Sequence, residues 1–170
     1  MPVYLFSYHG YRTWGPDHRR GHTRRGEGYQ PRDPDMQRRY DERATDDPTI
    51  FTREIQRALI EEAMVAARYQ QFRLHAGAGE PTHTHYLLSW QDSRHWMRLR
   101  ASLKTSLSLR LKQLSKSLPL NERGDRPVLR LSGGASRKRI DNQAHFDYHV
   151  NKYLPDHDGV FWCEMSGWRE

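Results

Sequence analysis

Two histidines a strand step apart, His83 and His85, are the side chains of this sequence best spaced for joint chemistry. They lie in Pro81-Thr82-His83-Thr84-His85-Tyr86-Leu87-Leu88-Ser89-Trp90. The tyrosine, leucines and tryptophan favour a pleated, half-buried surface, so the stretch reads as a strand. Period-two alternation puts His83 and His85 on one face, with Thr84, Tyr86, Leu88 and Trp90 on the other. Two neutral imidazoles aimed to the same side can share one cation. A metal centre also needs further ligands and groups that orient them. Without those, the pair is two solvated histidines in a chain that has 10.

A phenol is the second reactive group. Phe146, Val150 and Leu154, with Tyr153 beside them, form the apolar stripe of a late helix. At about 100° per residue, Tyr148 sits roughly opposite Phe146, off the stripe, with His145 and Lys152 near it. Tyr153 falls on the stripe and reads as packing. A tyrosine off the core is usually a surface residue. Placed against the histidines, Tyr148 becomes a nucleophile beside a metal-bound phosphate.

The elements that must position these groups follow from periodicity and punctuation. Val3 to Tyr8 makes a first strand. Glycines and prolines then stop regular structure until about Pro48, which leaves residues 9–48 as a basic, Gly/Pro-rich loop insertion. A loop of that length inside a domain is functional or disordered. Its arginines, among them Arg19, Arg20, Arg24 and Arg25, suit a phosphate backbone, and Tyr11, Trp14 and Tyr29 suit base stacking. Thr49 or Thr52 caps a helix to about Gln70 with Ile55, Leu59, Ala63 and Ala66 inward. Phe72 to Ala76 is a second strand, paired through the turn 77–81 with the histidine strand. Asp92 or Ser93 caps the longest helix, buried along Trp96, Leu99, Leu103, Leu107, Leu111 and Leu114. Its outer surface carries Arg94, Arg98, Arg100, Lys104, Arg110, Lys112 and Lys116 and no acid after Asp92. One-sign charge forgoes pairing along the helix and points to a polyanion. Val128 to Leu131 and Ser136 to Ile140, the latter with Arg137, Lys138 and Arg139, read as strands around Gly133-Gly134. Asp141 or Asn142 caps the tyrosine helix, and residues 156–170 form a tail.

Residues 1–170 therefore read as one domain of α+β class. The order strand, helix, hairpin, helix, strand is ferredoxin-like: an antiparallel sheet with two helices on one face. The C-terminal tyrosine helix is left for the other face, where the histidines point.

Composition limits the function classes. A net charge of +7 and a pI near 9.7, mostly from arginine, suit a nucleic acid or another polyanion. The single cysteine, Cys163, excludes an intrachain disulfide. No apolar run approaches a membrane span and no signal peptide is visible, so the expectation is a soluble cytoplasmic protein without a membrane partner.

With these residues in place, the chain resembles the HUH single-tyrosine endonucleases, most closely their insertion-sequence and REP-associated tyrosine transposase branch. The resemblance rests on Gly10-Tyr11-Arg12-Thr13-Trp14 after the first strand, the Arg-rich loop, Thr82 to Leu88, the basic helix, and Tyr148-His149-Val150-Asn151. It implies a transposase-like endonuclease that cuts and rejoins single-stranded DNA at hairpin-associated sites, with Mg²⁺ or Mn²⁺ on His83 and His85. Tyr148 would attack phosphorus, stay joined to the 5′ phosphate and release a 3′ hydroxyl. In related enzymes an amide or acid one turn after the nucleophile completes the ligand set. Lys152 holds that place here, which leaves Asn151 as the third ligand and Lys152 to favour the phenolate or hold a phosphate oxygen. Thr84 stands where the family usually has a bulky apolar residue. Relatives work as homodimers with shared sites or alone, and both stay open. Arg19, Arg20, Arg24, Arg25, Arg94, Arg98, Lys104, Arg137, Lys138 and Arg139 are the expected DNA contacts. The competing reading is a basic DNA- or RNA-binding protein that keeps the fold and does not cut; a third is a metal nuclease that uses water.

Overall fold

The computed structural model describes residues 1–19, 21–24, 26–44, 46–120 and 124–169, with the backbone alone at 23 and 24. In chain order the elements are β1 (Val3–His9), β2 (His22–Arg24), β3 (Gly28–Gln30), α1 (Pro34–Arg43), α2 (Arg53–Gln70), β4 (Arg73–Gly79), β5 (His83–Ser89), α3 (Trp96–Ser117), β6 (Ser136–Ile140), α4 (Gln143–Tyr148), a π-helical turn (His149–Tyr153), β7 (Phe161–Cys163) and β8 (Gly167–Arg169). The large sheet has the order β6-β1-β5-β4-β7-β8 and is antiparallel throughout. Its first four strands, with α2 and α3 as the crossovers, are the ferredoxin-like arrangement.

Alternation divides the sheet into two chemistries. Tyr4, Phe6, Tyr8, Tyr86, Leu88 and Trp90 pack against Leu59, Ala63, Leu103 and Leu107 of α2 and α3. On the opposite face Leu5, Ala76, Leu87, Phe161 and Cys163 pack against Val150 and Leu154 from the helical segment after β6. Register brings Ser7 opposite His85 and His9 opposite His83 on that second face. Both the two-sided architecture and the histidine face match the sequence reading.

Four local expectations are corrected. The stretch 9–48 is not without regular structure: it holds the β2–β3 ribbon and α1, which starts at Asp33, whose side chain accepts from Met36 N at 2.8 Å. Residues 128–131 form no strand; only Leu131 bridges, to Gly10, while β6 pairs with β1. The cap of α3 is His95, because Asp92 is held by Arg94 instead. The tail adds β7 and β8 to the β4 edge of the sheet.

The loop between the π-helical turn and β7 is docked where side chains are missing. A Cβ at Gly159 would come within 2.0 Å of the Gly79 carbonyl oxygen. That approach lets Gly79 N donate to Val160 O at 2.8 Å, while the buried Gln56 of α2 accepts from Val160 N at 3.0 Å.

Candidate active site

Strand alternation presents His83 and His85 from the centre of the sheet, and the docked loop brings His157 over them. Their ligand nitrogens all lie within 4.8 Å of one another. Each ring is oriented through Nδ1. His85 Nδ1 meets Ser7 Oγ at 2.5 Å, His83 Nδ1 meets Thr82 Oγ1 at 2.9 Å, and His157 Nδ1 donates to the Tyr153 carbonyl at 2.7 Å. With Nδ1 engaged, each histidine has Nε2 left to offer, the outer-group arrangement by which metal-ligating imidazoles are held in one tautomer. His85 Nε2 is buried and has no protein partner. Glu80 stands at the rim, its carboxylate 3.5 Å from His83 Nε2 and 3.9 Å from His157 Nε2.

Burial keeps His83, His85 and His9 uncharged. Desolvation first, then the neighbouring histidines, pushes His85 down to about 2. The same causes push His83 down to about 4. His9, stacked on His83 at 5.2 Å between ring centroids, is pushed down to about 4, again chiefly by burial. Neutral imidazoles with free lone pairs, a carboxylate at the rim and an unpartnered buried nitrogen fit a divalent cation.

The tyrosine beside this cluster is Tyr153. Its ring centroid is 5.6 Å from His85 and 4.8 Å from His157. Tyr148 is 48% exposed, and its ring contacts are with His149 and Tyr153. The segment that follows α4 is a π-helical turn, in which Leu154 N donates to His149 O at 3.0 Å, an i→i+5 bond. Each residue of such a turn advances less around the axis than in an α-helix, yet Val150, Tyr153 and Leu154 still face the sheet with Phe146, as the apolar stripe requires. Asn151 and Lys152 are exposed on this turn. The third donor beside the histidine pair is His157, four residues after Tyr153, rather than Asn151.

A cleft of about 630 Å³ opens over the cluster, with Ser7, His9, Trp14, Glu80 and Tyr153 among its walls. Arg19 lines it too, and Lys138 projects from the same sheet face, opposite Leu5. Arg137 and Arg139 lie on the α3 side, where Arg137 covers the Trp96 ring at 3.9 Å and Arg139 pairs with Asp141 at 3.6 Å. Arg98 is exposed on α3. Arg94 is engaged by Asp92 and the Gln70 carbonyl, and Lys104 by the carbonyls of Ser132 and Gly133. Arg24 is described by its β2 backbone, and Arg20 and Arg25 lie outside the described residues.

Ser7, His9, Glu80 and His157, which lie around this cluster, are not singled out by the sequence reading. One signal for His157 was available: it stands four residues, about one helical turn, after Tyr153. Tyr153 reads as packing on an α-helical wheel, and it does pack against the core of Val150 and Leu154, with its ring also beside His85 and His157.

No family model matches the sequence, and no curated protein matches it. A solved structure described as a REP-associated tyrosine transposase bound to a REP hairpin is similar over 90% of this chain, at 12% sequence identity and a TM-score of 0.48. The similarity covers 64% of that chain, so the present one spans less than two thirds of its length.

Proposed function

We propose that this chain is a metal-dependent single-stranded DNA transesterase of the HUH type, with Tyr153 as nucleophile and His83, His85 and His157 as the metal-binding set. The carrying observation is the convergence of three oriented imidazoles and one phenol on a single cleft. When bound there, a divalent cation supplies Lewis-acid polarisation of the scissile phosphate. Three nitrogen donors with one nearby carboxylate suit Mn²⁺ better than Mg²⁺, which prefers an all-oxygen shell.

The residues of the chain do the rest. Ser7, Thr82 and the Tyr153 carbonyl hold the imidazoles in their tautomers. Arg19 and Lys138 attract the strand's phosphates to the histidine face. Tyr153 Oη attacks phosphorus and loses its proton, the P–O3′ bond breaks, and the 3′ oxygen gains a proton. The product is a 5′-phosphotyrosine and a free 3′ hydroxyl, and the reverse step rejoins the strand without an external energy source. Hairpin-associated DNA is the substrate form that the sequence resemblance implies.

The test is an SDS-resistant adduct formed with Mn²⁺ on a hairpin oligonucleotide bearing an unpaired flank. Tyr153→Phe is expected to abolish the adduct with DNA binding intact, and Tyr148→Phe to retain it. Loss of the adduct in Tyr148→Phe alone would return the nucleophile to Tyr148. Cleavage without an adduct would identify a water-using nuclease, and binding with neither product nor adduct a non-catalytic DNA-binding protein.

A further inference from the structure

One wall of the catalytic cleft has the wrong sign for a phosphate backbone. Glu80 is the only carboxylate among the described residues that line it. A fixed negative charge there repels a nucleic-acid strand unless a cation offsets it. The groups that face its two oxygens are imidazoles: Oε2 lies 3.5 Å from His83 Nε2, and Oε1 lies 3.9 Å from His157 Nε2. Both separations exceed the ordinary N–H···O range of about 2.7–3.2 Å. His83, pushed down to about 4 chiefly by burial, carries no charge at neutral pH. Neither a hydrogen bond nor an ion pair to His83 therefore accounts for the carboxylate's position.

A shared ion does account for it. Two donors that each bind one divalent ion at about 2.0–2.2 Å stand about 3.0–3.8 Å apart, the lower figure for a right angle and the upper for a trigonal one. The carboxylate stands off His83 within that range and off His157 at its edge. The nitrogens it faces are the two Nε2 atoms that the Nδ1 hydrogen bonds of His83 and His157 leave free. Three hydroxyls of the cleft are engaged elsewhere: Ser7 Oγ with His85 Nδ1, Thr82 Oγ1 with His83 Nδ1, and Thr13 Oγ1 with the carbonyls of Gly10 and Thr82. The backbone fixes Glu80 beside the pair, because Glu80 N donates to His83 O at 2.8 Å across the hairpin turn and Gly79 N donates to Val160 O of the docked loop.

Resting on the transesterase reading above, we propose that Glu80 is the fourth protein ligand of the metal, completing a set of three imidazoles and one carboxylate. Its negative charge offsets one of the two charges of a divalent ion, so the ion is held more tightly than by imidazoles alone. The mixed set selects ions that accept nitrogen, such as Mn²⁺, Co²⁺ and Zn²⁺, over Mg²⁺ and Ca²⁺. It also resolves the sign of the wall, since a carboxylate bound to the ion no longer opposes the incoming phosphate.

The test measures metal binding to the full-length chain without DNA, so that no catalysis is needed. Glu80→Gln is expected to weaken Mn²⁺ binding in calorimetry at least about tenfold, the smaller effect usual for losing a group that only orients a ligand. The same substitution is expected to change the visible absorption of bound Co²⁺, which reports the donors around the ion. In Glu80→Ala, added formate is expected to restore that spectrum and part of the affinity, while perchlorate at the same ionic strength is not. Rescue by formate also separates a lost ligand from a misfolded cleft. Binding indifferent to Glu80→Gln overturns the inference. So does weaker binding with an unchanged Co²⁺ spectrum, which would make the carboxylate an electrostatic neighbour only. In either case an Mn²⁺-dependent adduct of the unsubstituted chain on the hairpin oligonucleotide leaves the transesterase reading standing. Spectral change and rescue without any adduct keep the ligand and remove the catalytic reading, and failure of the unsubstituted chain to bind Mn²⁺ removes both.

Discussion

Burial settles the protonation of His83, His85 and His9 before any ligand arrives. His85, held down to about 2, and His83 and His9, held down to about 4, are neutral in the folded chain across the ordinary pH range. His149 is 1% exposed and is also pushed down to about 4, by burial and then by Lys138 and His145. Unfolded, all four would titrate at about 6.5. As pH falls below that value the unfolded chain takes up protons that the folded chain refuses, so stability drops toward acid. Above about pH 7 these groups contribute no pH dependence. The expected outcome in EDTA is a urea midpoint that is flat from pH 8 to 7 and declines from 6.5 to 5, a window above ordinary carboxylate titration. A flat midpoint through that window would show that these imidazoles are charged in the folded state. Ser7 gives a second prediction at this scale. Ser7→Ala removes the hydroxyl from His85 Nδ1 and is expected to weaken Mn²⁺ binding about 10- to 100-fold by calorimetry, with the fold retained. His83 and His85 were legible in sequence because strand alternation is a local rule. His9 and Ser7 were not, because only the register of β1 on β5 brings them there.

At the scale of elements, the π-helical turn carries Tyr153 on the face turned to the histidines. Deleting Asn151, an exposed residue of that turn, removes the extra residue and lets i→i+4 bonding continue from α4. The expected outcome is loss of covalent DNA capture with circular dichroism and β-sheet content unchanged, since Tyr153 then rotates away from His85. Capture that survives the deletion would mean that the turn does not set the nucleophile. The leucine stripe of α3 has only a packing role: Leu107, fully buried, is expected on mutation to alanine to destabilise the fold by about 2–5 kcal/mol without changing metal affinity. The ferredoxin-like core was legible because long, strongly periodic helices and the histidine hairpin carry their own signals. The strands β2, β3, β7 and β8 were not, because three residues cannot display a period and their pairing depends on partners distant in sequence. The strand expected at 128–131 failed for the complementary reason: its apolar residues serve as loop packing, with Leu129 and Leu131 buried against the α3 side.

Across the whole molecule the net charge of +7 is unevenly engaged. Arg94 and Lys104 are tied to protein partners, and Arg137 is stacked on Trp96. Arg19 and Lys138 share the histidine face. Replacing Lys138 by alanine is therefore expected to weaken single-stranded DNA binding and lower the salt slope by about 1, while Arg139→Ala on the opposite face changes the slope little. Equal slopes for the two variants would place the strand elsewhere. Among the described residues no helix is long and apolar enough to cross a membrane.

The docking of Gly159 against Gly79 has a consequence for when the histidine cluster is complete. The loop that carries His157 is seated by backbone contacts to β4 and by Gln56, both made much earlier in translation. A growing chain that has already folded its first 150 residues therefore possesses two imidazoles but neither the third nor the phenol beside it. On the proposed reading, a nascent chain gains the complete cluster only once the loop through Gly159 and Val160 has been made and seated.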